Sequence, residues 1–184
     1  MSEGVSTLDL RALDLAPGAA AWLRVCPPAV DLVIGGQDFV TEPARPELDL
    51  EVSRSLSGLH LRLRGELALA GPCFRCLEPA RVGLVVDTSE FVAEGRPDDA
   101  PFDEDFDSAY VETQVLGLAA WTRDAVAEAM PATVLCREDC AGLCPVCGAD
   151  RNVVSCDCAV ETIDSRWDAL RELAERLGED PGPG

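Results

Sequence analysis

The sequence has no lysine: all 15 of its basic residues are arginine. That removes Schiff-base chemistry and the lysine of a Walker-type phosphate loop. Histidine is nearly absent too. His60 is the single one, and it alternates with leucines, which is the setting of a solvent-facing strand residue rather than of a general base. Aromatic residues amount to only 5%, so a core must rest on Leu, Val and Ala. No apolar run approaches the ~20 residues of a membrane helix. Glu3, Asp9 and Asp14 fall among the first 25 residues without a basic start ahead of an apolar stretch, so no export signal is expected and the expected location is cytoplasmic.

What is present bounds the answer further. At 184 residues, 47% hydrophobic and 27% charged, the composition is that of one ordinary domain with a small appendage. Acidic residues number 34 against the 15 arginines, a formal charge of -19. Such a surface is repelled by phosphate backbones and anionic membranes and attracts basic partners; it also simply keeps a protein soluble. No membrane, DNA or small-molecule partner is expected. The charge is densest over 94–107, where Glu94, Asp98, Asp99, Asp103, Glu104, Asp105 and Asp107 face a single Arg96. This reads as a solvated acidic loop, able to meet a cation or a basic protein.

The clearest periodicity is that of strands. Leu48, Leu50 and Val52 alternate with polar residues, and Leu59, Leu61, Leu63, Leu67 and Leu69 share a face opposite His60, Arg62, Arg64 and Glu66. A period of two predicts half-buried antiparallel strands. Gly71-Pro72 ends the second, Cys73–Glu78 turns the chain, and Val82 to Val92 forms a return strand. Weaker strand signals lie over Val5–Leu15 and Asp31–Ile34, with a loop around Pro43 and Pro46. Helical spacing of Val115, Leu118, Ala119, Ala125, Val126, Ala129 and Met130 predicts a helix with Thr113 as N-cap and Pro131 as stop. A second helix is predicted from Ser165 to Leu177, capped by Asp164 and ended by Gly178. The fold class is thus α+β: a mainly antiparallel sheet or partial β-barrel with one packed helix over 1–131, then a cysteine-rich zinc knuckle and a C-terminal helix over 132–184.

Nine cysteines in a chain without an export signal point to metal ligation rather than disulfides, because cytosolic thiols are kept reduced. Cys144-Pro145-Val146-Cys147-Gly148 is the strongest element: two intervening residues let both thiolates enter one turn, and Gly148 can leave it at positive φ. Tetrahedral zinc needs two more ligands, and histidine cannot supply them. Cys156 and Cys158 are the favoured second pair, with Cys136 and Cys140 as rivals. Cys73-Phe74-Arg75-Cys76 reads either as two thiols buried at a turn or as half of a second four-thiolate site completed by two of the C-terminal cysteines. Cys26 reads as a core thiol. A thioredoxin-like role lacks its βαβ setting, and a zinc deaminase lacks its HxE element. A radical SAM enzyme, whose cysteine spacing Cys140-x3-Cys144-x2-Cys147 imitates, lacks the large barrel that should follow.

Together, the string Cys73-x-Arg75-Cys76-Leu77-Glu78-Pro79, the acidic stretch and helix ending at Pro131, and Cys136-x3-Cys140-x-Gly142-Leu143-Cys144-Pro145-x-Cys147-Gly148-Ala149-x-x-Asn152 with Cys156-x-Cys158 resemble the bacterial YceD family. The resemblance continues into Asp164-x-Arg166-x-x-x-Leu170 and covers roughly 58–177. It implies a role in accumulation of 23S ribosomal RNA and in large-subunit biogenesis. Some family members keep the CxRC pair but lack the C-terminal cysteines, which implies that zinc stabilises rather than acts. A family gene often adjoins that of a small basic large-subunit ribosomal protein, an association that agrees with the acidic charge. The expected function is therefore non-catalytic, exerted through a basic large-subunit ribosomal protein or a pre-ribosomal particle, with structural Zn2+ as the cofactor. The alternative is direct binding of pre-23S rRNA by the knuckle and the CxRC hairpin at Cys73 and Cys76. Against that stands the local charge of 136–158, where Arg137 and Arg151 face Glu138, Asp139, Asp150 and Asp157. No nucleophile–base pair or carboxylate–metal motif marks an enzyme.

Overall fold

The computed structural model describes residues 5–94 and 108–158 together with Leu170 and Leu173. It divides into two units, Met1–Cys140 and Ala141–Gly184. The first carries the secondary structure in chain order: β1 (Leu8–Asp9), a 3-10 turn (Leu10–Leu13), β2 (Ala20–Val25), β3 (Asp31–Ile34), β4 (Gln37–Glu42), β5 (Leu48–Arg54), β6 (Gly58–Pro72), β7 (Pro79–Ala93), β8 (Val111–Glu112), β9 (Val115–Leu116) and α1 (Leu118–Ala129). Every strand pairing is antiparallel, and the protein is α+β.

The fifteen-residue strands β6 and β7 are the spine of the larger sheet, paired in unbroken register from Gly58↔Ala93 to Pro72↔Pro79. Along its other edge β6 changes partner, taking β5 over Leu59–Arg64 and β4 over Ala68–Ala70. The sheet runs β2-β5-β6-β4-β3 with β7 beside β6; among the described residues it is open, without the closing pair of a barrel. The predicted alternation is realised: Leu50, Val52, Leu61, Leu63 and Leu69 are 0–1% exposed, while His60, Arg62 and Arg64 face outward. Helix α1 lies against β7 and buries Leu118, Trp121, Ala125 and Val126. Replacing Trp121 by Ala would cost about 3–5 kcal/mol in transfer and cavity terms.

The sequence reading needs correction at the start of the helix. Thr113 is not its N-cap. Thr113 and Gln114, at φ +50° and +62°, are the two central residues of a tight hairpin between β8 and β9, which pair Glu112↔Val115. Positive φ at both positions is what a two-residue hairpin turn requires. Val115 is thus a strand residue, and Gly117 caps α1 without a side-chain hydrogen bond. The predicted stop holds, because Met130 is extended ahead of Pro131. Strands β2 and β4 lie outside the sequence-based expectation. Their alternation is blurred by Ala20, Ala21 and Trp22 in one and by Glu42-Pro43 in the other. The Val5–Leu15 segment is strand only at Leu8–Asp9, where Asp9 accepts from the Arg11 backbone N–H and starts the 3-10 turn. Of the predicted C-terminal helix only Leu170 and Leu173, both helical, are described, and the aspartates of the 94–107 stretch lie outside the described residues. No described helix is long and apolar enough to cross a membrane.

Candidate metal centres

The β6–β7 connection is a knuckle. The Cys73 N–H donates to the Glu78 carbonyl at 2.8 Å, and the Leu77 N–H donates to the Cys73 carbonyl at 3.0 Å. Leu77 leaves the turn at φ +65°. The Arg75 N–H donates to Cys73 Sγ at 3.4 Å. Two hydrogen bonds fasten this turn to the segment after α1. Phe74 N–H reaches the carbonyl of the fully buried Val134 at 2.8 Å, and Arg75 Nη1 reaches the Cys140 carbonyl at 2.9 Å. Phe74 also meets Phe39 of β4 edge-on, ring centroids 5.6 Å apart. Gly71 lets that ring in, since a Cβ there would run into it.

This framework gathers Cys73, Cys76, Cys136 and Cys140, whose sulfurs all lie within 4.8 Å of one another. Cys73 and Cys140 are 3.8 Å apart and Cys76 and Cys136 3.6 Å. Thiolates at ~2.3 Å around a tetrahedral zinc are separated by about 3.8 Å, so the donor set fits a single ion.

The second unit repeats the knuckle. The Cys144 N–H donates to the Ala149 carbonyl at 2.8 Å, the Gly148 N–H donates to the Cys144 carbonyl at 2.8 Å, and Gly148 leaves at φ +73°. A bridge between Leu143 and Asp150 and the Arg151 N–H bond to the Gly142 carbonyl at 2.9 Å tie its flanks together. Asn152 accepts from the Ala141 N–H at 2.8 Å and donates through Nδ2 to Asp150 at 2.6 Å, which makes it an internal clasp. Cys144, Cys147, Cys156 and Cys158 converge here within the same 4.8 Å.

The electrostatics repeat as well. Burial pushes the Cys73 thiol up, but the backbone N–H groups of Arg75, Cys136 and Cys76 outweigh it and bring the thiol down to about 6. The backbone N–H groups of Cys147 and Val146 bring Cys144 down to about 6. Cys76 and Cys158 go the other way, to about 12. The Glu78 N–H pulls Cys76 down but is overcome by burial and the neighbouring sulfurs, whereas for Cys158 the Cys147 sulfur dominates. Several thiolates this close repel one another unless a cation sits among them, so each cluster suits a divalent, thiophilic ion.

The two cysteine pairs that are rivals in the sequence reading therefore belong to different clusters. Cys136 and Cys140 sit with Cys73 and Cys76, and Cys156 and Cys158 sit with Cys144 and Cys147. Eight clustered cysteines divide into two sets of four; the sequence holds that hint in its repeated CxxC, but nothing local pairs position 73 with 140. Cys26 is only partly buried. His60 lies exposed against Phe91, ring centroids 4.6 Å apart. Glu94, expected at the start of an acidic loop, is instead ion-paired with Arg54 at 2.9 Å.

Residues 59–174 match the family described as large ribosomal RNA subunit accumulation protein YceD. An uncharacterized protein of Mycobacterium bovis is 31% identical over 174 residues, which span 91% of this chain and 80% of that protein. Uncharacterized proteins of two Mycobacterium tuberculosis strains match to the same extent. No solved structure matches. A family match over 59–174, which takes in both cysteine clusters and all but the first residue of the β6–β7 spine, places this chain in the YceD family.

Proposed function

We propose that the protein is a non-catalytic factor for accumulation of 23S ribosomal RNA and assembly of the large ribosomal subunit. It acts in the cytoplasm through a basic ribosomal protein or a pre-ribosomal particle, with structural zinc at Cys144, Cys147, Cys156 and Cys158. The family description supplies the process. The observation that carries the choice of partner is how the arginines are spent. On a chain of charge -19, the outward arginines of the sheet are already engaged: Arg62 with Asp87 at 2.8 Å, Arg64 with Glu51 at 3.6 Å, Arg24 with Asp49 at 3.1 Å and Arg81 with Glu42 at 2.8 Å. Phosphates would have to compete with these carboxylates for every one, whereas a cationic protein meets only excess negative charge.

Affinity capture on the tagged full-length protein, with and without RNase and across a salt series, tests this. An Arg/Lys-rich ribosomal protein retained after RNase and released by salt is the expected result, since exposed charges are screened over ~8–10 Å. Changing Asp98, Asp99, Asp103, Glu104, Asp105 and Asp107 to amides should slow that association and flatten its salt dependence. Capture abolished by RNase favours the direct RNA-binding reading instead.

A further inference from the structure

Of the two thiol sets, the one built by Cys73, Cys76, Cys136 and Cys140 is the less accessible; the family description assigns it no ion, and the CxxC spacing leaves its role open between buried thiols and a second site. We propose that this set holds a second zinc ion, slow to exchange, that locks the β6–β7 turn to the segment following α1, and that the ion held by Cys144, Cys147, Cys156 and Cys158 is the exchangeable one. This goes beyond the ribosomal reading and stands whichever partner is bound.

Four observations converge. The donors are four sulfurs, the set that selects zinc over harder divalent ions. Their 3.6 and 3.8 Å separations match the edge of a zinc–thiolate tetrahedron. A four-iron cluster would need its ligands spread around a cage, and disulfides would need each pair drawn together to ~2.05 Å. The backbone of the turn superimposes in hydrogen-bond pattern on the second knuckle: first-cysteine N–H to the carbonyl five residues on, and the N–H four residues on back to the first-cysteine carbonyl. Finally, both halves of the site are held without the ion, by Phe74 N–H on Val134 and by Arg75 on Cys140. A cradle preorganised in this way loses little order on binding.

Access separates the two sites. Cys73, Cys76 and Cys140 are 0%, 4% and 2% exposed, leaving Cys136 as the one ligand in reach of solvent. In the other set only Cys144 is buried; Cys147 is exposed, and Cys156 and Cys158 are half-buried. A chelator extracts zinc by attacking at a ligand it can reach, so the second set should empty first.

Native mass spectrometry of the full-length protein purified with zinc tests the proposal. The expected content is about two zinc ions per chain, falling to about one in Cys76→Ser and about one in Cys147→Ser. On addition of EDTA, wild type should lose one ion early and the other roughly tenfold or more slowly, because the inner thiols are reached only through local opening. Cys147→Ser should show only the slow phase and Cys76→Ser only the fast one. Should Cys76→Ser fail to fold, wild type and Cys147→Ser suffice. One zinc in the wild type, bound iron, a mass lowered by disulfide formation, or fast loss of the ion left in Cys147→Ser would each overturn the proposal.

Discussion

The two cysteine clusters share a knuckle and differ in everything that completes it. In the inner one, Cys76 meets Cys136 from 60 positions away and Cys73 meets Cys140 from 67. In the outer one, Cys147 and Cys156 are nine positions apart. The same four-sulfur donor set is thus built into two different frameworks. Zinc in the outer set would order a short segment that has a bridge, a clasp and, among the described residues, few buried side chains. Zinc in the inner set would tie the end of a hairpin of two fifteen-residue strands to a segment reached only after α1. Chain entropy makes the distinction quantitative. By the cross-link relation, closing a loop of about 60 residues lowers unfolded-state entropy by the equivalent of about 4 kcal/mol, against about 2.7 kcal/mol for about 10 residues.

The sharpest way to break this comparison is to remove each ion separately and read the stability of the sheet. Cys76→Ser with Cys140→Ser should destabilise the first unit by about 4 kcal/mol in a denaturant titration followed by circular dichroism, because the long-range tie is lost. Cys147→Ser with Cys158→Ser should leave that transition within about 0.5 kcal/mol and instead open 141–158 to proteolysis. Equal effects would mean that the two sites are not separate in function.

Proton linkage gives the next largest effect and should not distinguish the clusters. Metal binding needs thiolates. Cys73 and Cys144, brought down to about 6, are ionised above that value and protonated below it. Zinc affinity should therefore weaken as pH falls, and each site should release about one more proton per ion as pH drops through about 6, steepening the loss by about tenfold per pH unit. Calorimetry in buffers of different ionisation enthalpy, on the Cys76→Ser and Cys147→Ser proteins, would show whether the slopes agree.

The smallest effect concerns one equivalent position. The knuckles place Leu77 and Gly148 at the same left-handed step. Leu77→Gly should relieve strain and stabilise the first unit by about 1 kcal/mol, while Gly148→Ala should cost the second a similar amount. Thermal melts of the two variants should shift in opposite directions.

This contrast also explains what can be read from the sequence. Leu59 to Leu69 declare a half-buried strand because their period of two is local, and Cys144 to Gly148 declare a knuckle for the same reason. The partnership of Cys73 with Cys140 cannot be read, since it depends on where β7 and α1 deliver the chain. The Thr113-Gln114 turn escapes on chemistry: neither residue is the Asn or Gly that usually marks two successive positive φ angles, so helical spacing from Val115 prevails. Strand β4 is obscured because only Phe39 and Thr41 are buried within it, and Thr41 turns its hydroxyl to accept from the Val30 N–H at 2.9 Å.

The change of partner along one edge of β6 has its own consequence. Strand β5 pairs only with its first half and β4 only with its second, with β2 and β3 beyond them, so the ladders of the two arms meet only at the β6–β7 spine. Each arm can open without breaking the hydrogen bonds of the other, which is the condition for two cooperative units within one sheet. The β3–β4 arm is seated beside the inner thiols through Phe39 and Phe74, whereas the β2–β5 arm ends at the Arg54–Glu94 pair. Stripping the inner zinc should accelerate amide exchange at Leu32, Phe39 and Val40 well before it reaches Leu23, Leu50 and Val52, so that one continuous sheet behaves as two domains of protection.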